Sequence, residues 1–165
     1  MNNMSKNKMT AMCGVFIALA LVLSYLESLV PLNFAVPGIK LGLANLVTIV
    51  AMFKLGLKPA ILISLGRIVL SGILFGNITI IIYSLAGAGL SIIVMFIVKK
   101  IKAFSVTGIS ICGAVSHNMG QIIVAAVVME NANILYYMLV LCITGAVAGT
   151  FIGILASIIL KSIYM

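Results

Sequence analysis

Aspartate is missing from this chain, glutamate occurs twice (Glu27 and Glu130), and histidine once (His117). That scarcity removes most chemistry on polar substrates, because acid–base pairs, metal clusters and activated nucleophiles are built mainly from these side chains. A phosphate loop of the form G-x-x-x-x-G-K-[ST] is also lacking, so any coupling to ATP would have to come from other chains. The three cysteines, Cys13, Cys112 and Cys142, stand singly in apolar runs without C-x-x-C spacing and read as small buried hydrophobes. With a lone histidine and no acidic cluster, neither a metal site nor a cofactor is expected.

Charge is scarce as well. Only 7% of residues are charged, 64% are hydrophobic and the mean hydropathy is +1.39, whereas soluble domains are about one-quarter charged. A water-soluble domain of 165 residues could not hide that much apolar surface. Lipid is the solvent this composition fits. The net charge of +8 does not signal a nucleic-acid partner, because the lysines sit in short clusters between apolar runs and form no basic stripe.

The apolar runs predict an all-α integral membrane protein, a single transmembrane domain over 1–165 with spans at about 9–30, 39–57, 59–75, 78–98, 105–129 and 134–160. The first run is long and lacks an A-x-A site, so it reads as a helix that stays and not a cleaved signal. Pro31 and Pro37 with Gly38 break the chain between the first two spans, Pro59 fits a first helical turn, and Gly76-Asn77 makes a tight turn. In the last span, Gly145, Gly149 and Gly153 recur every four residues, a face that lets another helix approach closely. Six spans place Lys6, Lys8, Lys54, Lys58, Lys99, Lys100, Lys102 and Lys161 on one side and Lys40 alone on the other. By the positive-inside rule both termini are then cytoplasmic, in the inner (cytoplasmic) cell membrane, with Glu27 and Glu130 near the outer face.

A buried arginine costs roughly 2.5 to 3.5 kcal/mol at a helix centre on insertion scales, so polar residues inside spans need a reason. Arg67 lies mid-span. Counting from each helix start puts Glu27 about 15 Å higher, which leaves Arg67 without an acidic partner at its own depth. It either bonds groups within the bundle or meets the anionic group of a ligand. Ser116-His117-Asn118-Met119-Gly120-Gln121 is the most polar intramembrane run, and His117 and Gln121 share a face. Asn45 and Thr48 lie on one face with Gly42, and Tyr83 with Ser84 enters the fourth span at a similar depth. The depth count predicts a substrate pocket open to the outside, lined by Asn45, Arg67, Tyr83, His117, Asn118 and Gln121, with Glu27 and Lys40 at its mouth and the Pro31 to Gly38 loop closing it.

Several stretches carry a family resemblance: Glu27-Ser28-Leu29-Val30-Pro31, Pro37-Gly38-Ile39-Lys40-Leu41-Gly42-Leu43-Ala44-Asn45, Gly66-Arg67, Ser71-Gly72-Ile73-Leu74-Phe75-Gly76, Tyr83-Ser84-Leu85-Ala86-Gly87 and Gly113-Ala114-Val115-Ser116-His117-Asn118-Met119-Gly120-Gln121. Together they resemble the Gx transporter family, also known as heptaprenyl diphosphate synthase component I. That family is in turn similar to the S components of energy-coupling factor (ECF) transporters. The resemblance implies a six-helix, S-component-like bundle that binds a small organic solute and joins a membrane coupling protein with two ATPases. It also implies docking through small residues of the first helix, here Ala11, Gly14 and Ala18. The enzyme name meets a chemical objection, since prenyl diphosphate synthases hold magnesium with aspartate-rich clusters and this chain has no aspartate. Two readings stay open: a binding and translocating component for a solute such as an isoprenoid or quinone precursor, a flavin or another vitamin, or a noncatalytic anchor or regulator of a synthase.

Overall fold

The computed structural model describes residues 5–29, 42–101 and 103–164. These fold into α1 (Lys6–Leu29), α2 (Asn45–Lys54), α3 (Leu57–Phe75), α4 (Ile78–Lys100), α5 (Val106–Val128), a short 3-10 helix (Ala132–Tyr137) and α6 (Met138–Tyr164). No strand occurs among the described residues. Five helical stretches are long and apolar enough to cross a membrane, and large apolar side chains such as Leu62, Ile73, Leu139, Phe151 and Ile158 stand exposed along them, as lipid-facing residues must. The ends follow local rules. Asn77 and Ser105 each accept a hydrogen bond at a helix start, from the backbone N–H of Ile80 and Gly108 respectively. Pro59 falls in the first turn of α3, where its missing N–H leaves no bond unmade.

The second expected span is the exception. In place of a helix over 39–57, α2 has 10 residues, about 15 Å and half the hydrocarbon core. Residues 42–44 form a turn and not helix. Gly42 has φ +86°, a left-handed conformation that halts a right-handed helix and suits glycine. The α2 helix is sunk in the bundle, with Asn45, Val47, Thr48, Ile49, Val50, Ala51 and Met52 buried. Smaller shifts occur elsewhere: α1 begins at Lys6, and the start of the last span is the 3-10 helix, so that α6 proper begins at Met138.

Packing differs along the chain. The glycine face of α6 lies on α5, where a Cβ on Gly145, Gly149 or Gly153 would come within 2.8, 2.8 and 2.6 Å of Asn118, Ile111 and Thr107. Gly120 of α5 meets the backbone of Ala86 and Gly87 on α4 in the same manner. Such approaches bring backbones together, which is how helices associate in lipid. The α1 helix is peripheral by contrast. It packs on α3 and α2 and buries only Ala20, Ser24 and Glu27. Its contacts with α3 fix their register: Ile17 lies against Gly66, and the Tyr25 ring sits edge-on to Phe75 with centroids 5.6 Å apart.

Candidate functional site

Polar side chains from four helices meet in the interior, against a glycine of a fifth. On α5, the His117 ring lies against Gly87 of α4 and bonds its backbone. Gln121, one turn along, touches the same glycine, where a Cβ would stand 2.8 Å from Gln121 Cγ and 3.0 Å from His117 Cε1. No larger residue would let these two side chains reach α4. At the head of α2, Gly42 holds Asn45 Nδ2 and the His117 ring together, at 2.7 and 3.9 Å from the site of a Cβ. The N–H of Gly42 donates to Glu27 Oε1 of α1. Arg67 of α3 is electrostatically coupled both to Glu27 and to His117. Glu27, Asn45, Arg67, His117 and Gln121 thus surround the turn that begins α2.

One expectation about Arg67 changes. Glu27 is buried, and its carboxylate sits at the N-terminal end of α2, where a negative charge is favoured by the helix dipole. Arg67 has this carboxylate within electrostatic reach. The counted separation is not itself at fault, for the α1–α3 register sets the two backbones about nine residues, or roughly 13 Å, apart along the axis.

The cluster is rich in polar atoms that make no hydrogen bond among the described residues. Asn45 Nδ2, Arg67 Nε and Nη2, His117 Nδ1 and both Gln121 amide atoms are buried without such a partner. Buried polar groups are normally satisfied, and each orphan costs about 1 to 3 kcal/mol. So many in one place mark a site arranged for something other than stability.

Hydroxyl groups sharpen the picture. Serine and threonine in membrane helices usually fold back onto a carbonyl three or four residues earlier, and Thr10, Ser28, Ser71, Ser116, Thr144 and Thr150 do so here. Ser24, Thr48, Ser64 and Ser91 do not, and their Oγ atoms are buried and unpartnered. Each lies one helical turn from a member of the cluster: Ser24 from Glu27, Thr48 from Asn45, Ser64 from Arg67 and Ser91 from Gly87. In all four helices the hydroxyl is on the side nearer the end that carries Lys8, Lys54, Lys58 and Lys99. Each of these hydroxyls therefore stands one turn nearer that end than its neighbour in the cluster. Sequence reading singled out Thr48 and passed over the other three; their spacing of three or four from a costly polar residue was the available signal.

The remaining expected residues fall elsewhere. The Tyr83 ring is buried in an apolar cluster with Ile122, Ala125, Ile134 and Leu141. Asn118 faces α6, where its Nδ2 donates to the Leu141 carbonyl at 2.7 Å, a tie between α5 and α6. Ala11, Gly14 and Ala18 share an exposed face of α1, and a Cβ at Gly14 would meet nothing within 4 Å. Lys40 and the loop from Pro31 to Gly38 lie outside the described residues. Asn45, Arg67, His117 and Gln121 are all less than a tenth exposed. A groove between α3 and α4 is lined by Ser64, Ala88 and Gly89 among others.

No curated protein and no solved structure shows significant similarity to the chain. A family model does match: it covers residues 16–159, which include every residue of the polar cluster and all its supporting helices. The chain is a member of the heptaprenyl diphosphate synthase component I family.

Proposed function

We propose that the protein is a membrane component that binds a small organic solute and passes it across the cytoplasmic membrane, in the manner of an S component, as a six-pass bundle with both termini inside. The observation that carries this reading is the set of buried polar atoms on α2, α3 and α5, at Asn45, Arg67, His117 and Gln121, that have no hydrogen-bond partner among the described residues. A plain membrane anchor has no use for an arginine, a histidine and a glutamine at depth, each carrying an insertion penalty. Fixed donors predominate, on Asn45, Arg67 and Gln121, and they suit a ligand that offers acceptors, foremost a carboxylate or phosphate gripped by the guanidinium. Tyr83, Asn118 and Lys40 border this site in the proposal, and Glu27 sets its charge balance.

Energy would come from a coupling protein with two ATPases, docked on the exposed Ala11, Gly14 and Ala18 face of α1, where small residues permit close backbone approach. Gly14→Leu with Ala18→Leu should abolish copurification of such a partner while leaving the thermal melt unchanged. Retained copurification would place the docking face elsewhere. The family name supports a second reading, a noncatalytic subunit that recruits a soluble prenyl diphosphate synthase.

Mass spectrometry of small molecules retained by the gently solubilised protein separates the two. A solute should copurify, and Arg67→Ala should lower its occupancy about tenfold to a hundredfold, the range expected for a lost charge-assisted hydrogen bond. Lys161→Ala, at the far end of α6, should change nothing. If Arg67→Ala leaves occupancy intact and only lowers the melting temperature, the arginine is a structural hub and the anionic-ligand reading is wrong.

A further inference from the structure

The α2 helix starts without a cap of its own. Its N-cap residue is Ala44, whose side chain can accept no hydrogen bond. An acceptor comes from another helix instead, since Glu27 Oε1 of α1 takes the N–H of Gly42, two residues before that cap. Donors gather at the same turn. Asn45, in the first turn of α2, is 7% exposed, and its Nδ2 lies 2.7 Å from where a Cβ of Gly42 would stand. That Nδ2 has no hydrogen-bond partner among the described residues, and neither do Arg67 Nε and Nη2. Those two nitrogens form one edge of the guanidinium, the edge that takes a carboxylate or phosphate through two parallel bonds.

Charge constrains what can join them. Glu27 and Arg67 are the two charged side chains that are buried among the described residues, and they are electrostatically coupled. Between them the interior is balanced. A further anion beside Arg67 would make it negative, and an uncompensated charge is costly away from water. The balance is kept if one anion leaves its place as another arrives.

We infer that Glu27 is a built-in stand-in for the ligand's anionic group: its carboxylate holds the place at the head of α2 that a ligand carboxylate or phosphate takes, and binding exchanges one anion for the other. The inference rests on the binding reading above and adds a residue that competes with the ligand. The exchange is nearly even, because the incoming anion regains the Gly42 N–H and the favourable field of the helix start that Glu27 gives up. An uncharged acceptor could not displace Glu27 on these terms, so the competition also selects for anions.

The test uses full-length protein in a maltoside detergent, with acetate as the probe. Glu27→Ala leaves Arg67 without its carboxylate and should lower the melting temperature. Sodium acetate should restore most of that loss saturably, where sodium chloride at the same concentration does not. Wild type should shift little, because Glu27 already holds the place, and Glu27→Ala combined with Arg67→Gln should not be rescued. Absence of rescue, or equal rescue by chloride, would make Glu27 a fixed structural partner and overturn the inference. Glu27→Gln, nearly the same shape and still an acceptor for Gly42, covers the case in which Glu27→Ala does not fold. Mass spectrometry should show this variant losing the copurified solute about tenfold more slowly on washing than wild type does, the low end of the worth of a charge-assisted hydrogen bond. Faster loss from Glu27→Gln, with Arg67→Ala also impaired, would overturn the exchange and leave the binding reading standing. If no variant retains a solute, the binding reading fails and the inference with it.

Discussion

The α4–α5–α6 half and the α1–α2–α3 half of the molecule are made from equally apolar sequence and packed by opposite means. In the first, glycines bring backbones into contact: a Cβ on Gly120 would lie 2.7 Å from the Ala86 carbonyl oxygen, and one on Gly153 would lie 2.6 Å from Thr107 Cα. In the second, contact runs through side chains, such as Ile17 on Gly66 and Tyr25 on Phe75. Of the four buried hydroxyls without a partner among the described residues, Ser24, Thr48 and Ser64 lie in the second half and Ser91 in the first. Backbone-to-backbone packing leaves no room for a guest, and side-chain packing can be rearranged around one. One half reads as scaffold, and the other supplies most of the site.

That contrast breaks most visibly at glycine. Gly120→Leu or Gly149→Leu drives a side chain into the backbone of the neighbouring helix and should cost about 3 kcal/mol, the upper end of overpacking penalties. Gly89→Leu, on the same bundle but facing the groove, should melt within about 0.5 kcal/mol of wild type, as changes away from packed features do. Thermal melts in a maltoside detergent compare all three. Equal losses would mean that the groove is as tightly built as the scaffold.

A smaller effect is expected where the two halves join, at the turn before α2. Gly42→Ala must hold a left-handed conformation at about 1 to 2 kcal/mol and also place a Cβ 2.7 Å from Asn45 Nδ2. The melting temperature should fall modestly, and retention of the copurifying solute should fall much further, because Asn45, Glu27 and His117 are all positioned by that turn. Loss of stability with full retention would separate the turn from the site.

This turn also shows where reading a sequence stops. The long helices were legible because lipid imposes a length and leaves few charges, and the polar cluster was legible because each member is costly in a membrane. The shortness of α2 was not. It depends on a hydrogen bond between Gly42 and Glu27, 15 residues away in sequence, and apolar residues on both sides of Gly42 continue a spanning pattern without interruption. The relation of Arg67 to Glu27 was hidden for a similar reason, since counting along helices gives backbone depth and says nothing of where two long side chains reach. Ser64 was invisible because most hydroxyls in such helices bond to their own backbone, and only packing shows which do not.

The smallest expected effect concerns how the 10-residue α2 is kept in place at its other end. Its last carbonyls have no partners within the helix. Leu55 and Gly56 donate to Ala51, and the Met52 carbonyl accepts from Lys99 Nζ of α4 at 2.8 Å. The same ammonium sits 4.2 Å from the centroid of the Phe53 ring. Lys99 thus ties the end of α2 to the scaffold half by one hydrogen bond and one cation–π contact. Lys100 sits over Phe96 of its own helix and ties nothing to α2. Lys99→Met should cost about 1 kcal/mol, the net worth of such a bond near a surface, and Lys100→Met less. Hydrogen exchange distinguishes the two better than a melt does. Amides of Phe53, Lys54 and Leu55 should exchange faster in Lys99→Met and stay unchanged in Lys100→Met, because only the first frees the end of α2. Equal exchange in both variants would show that burial alone holds this helix.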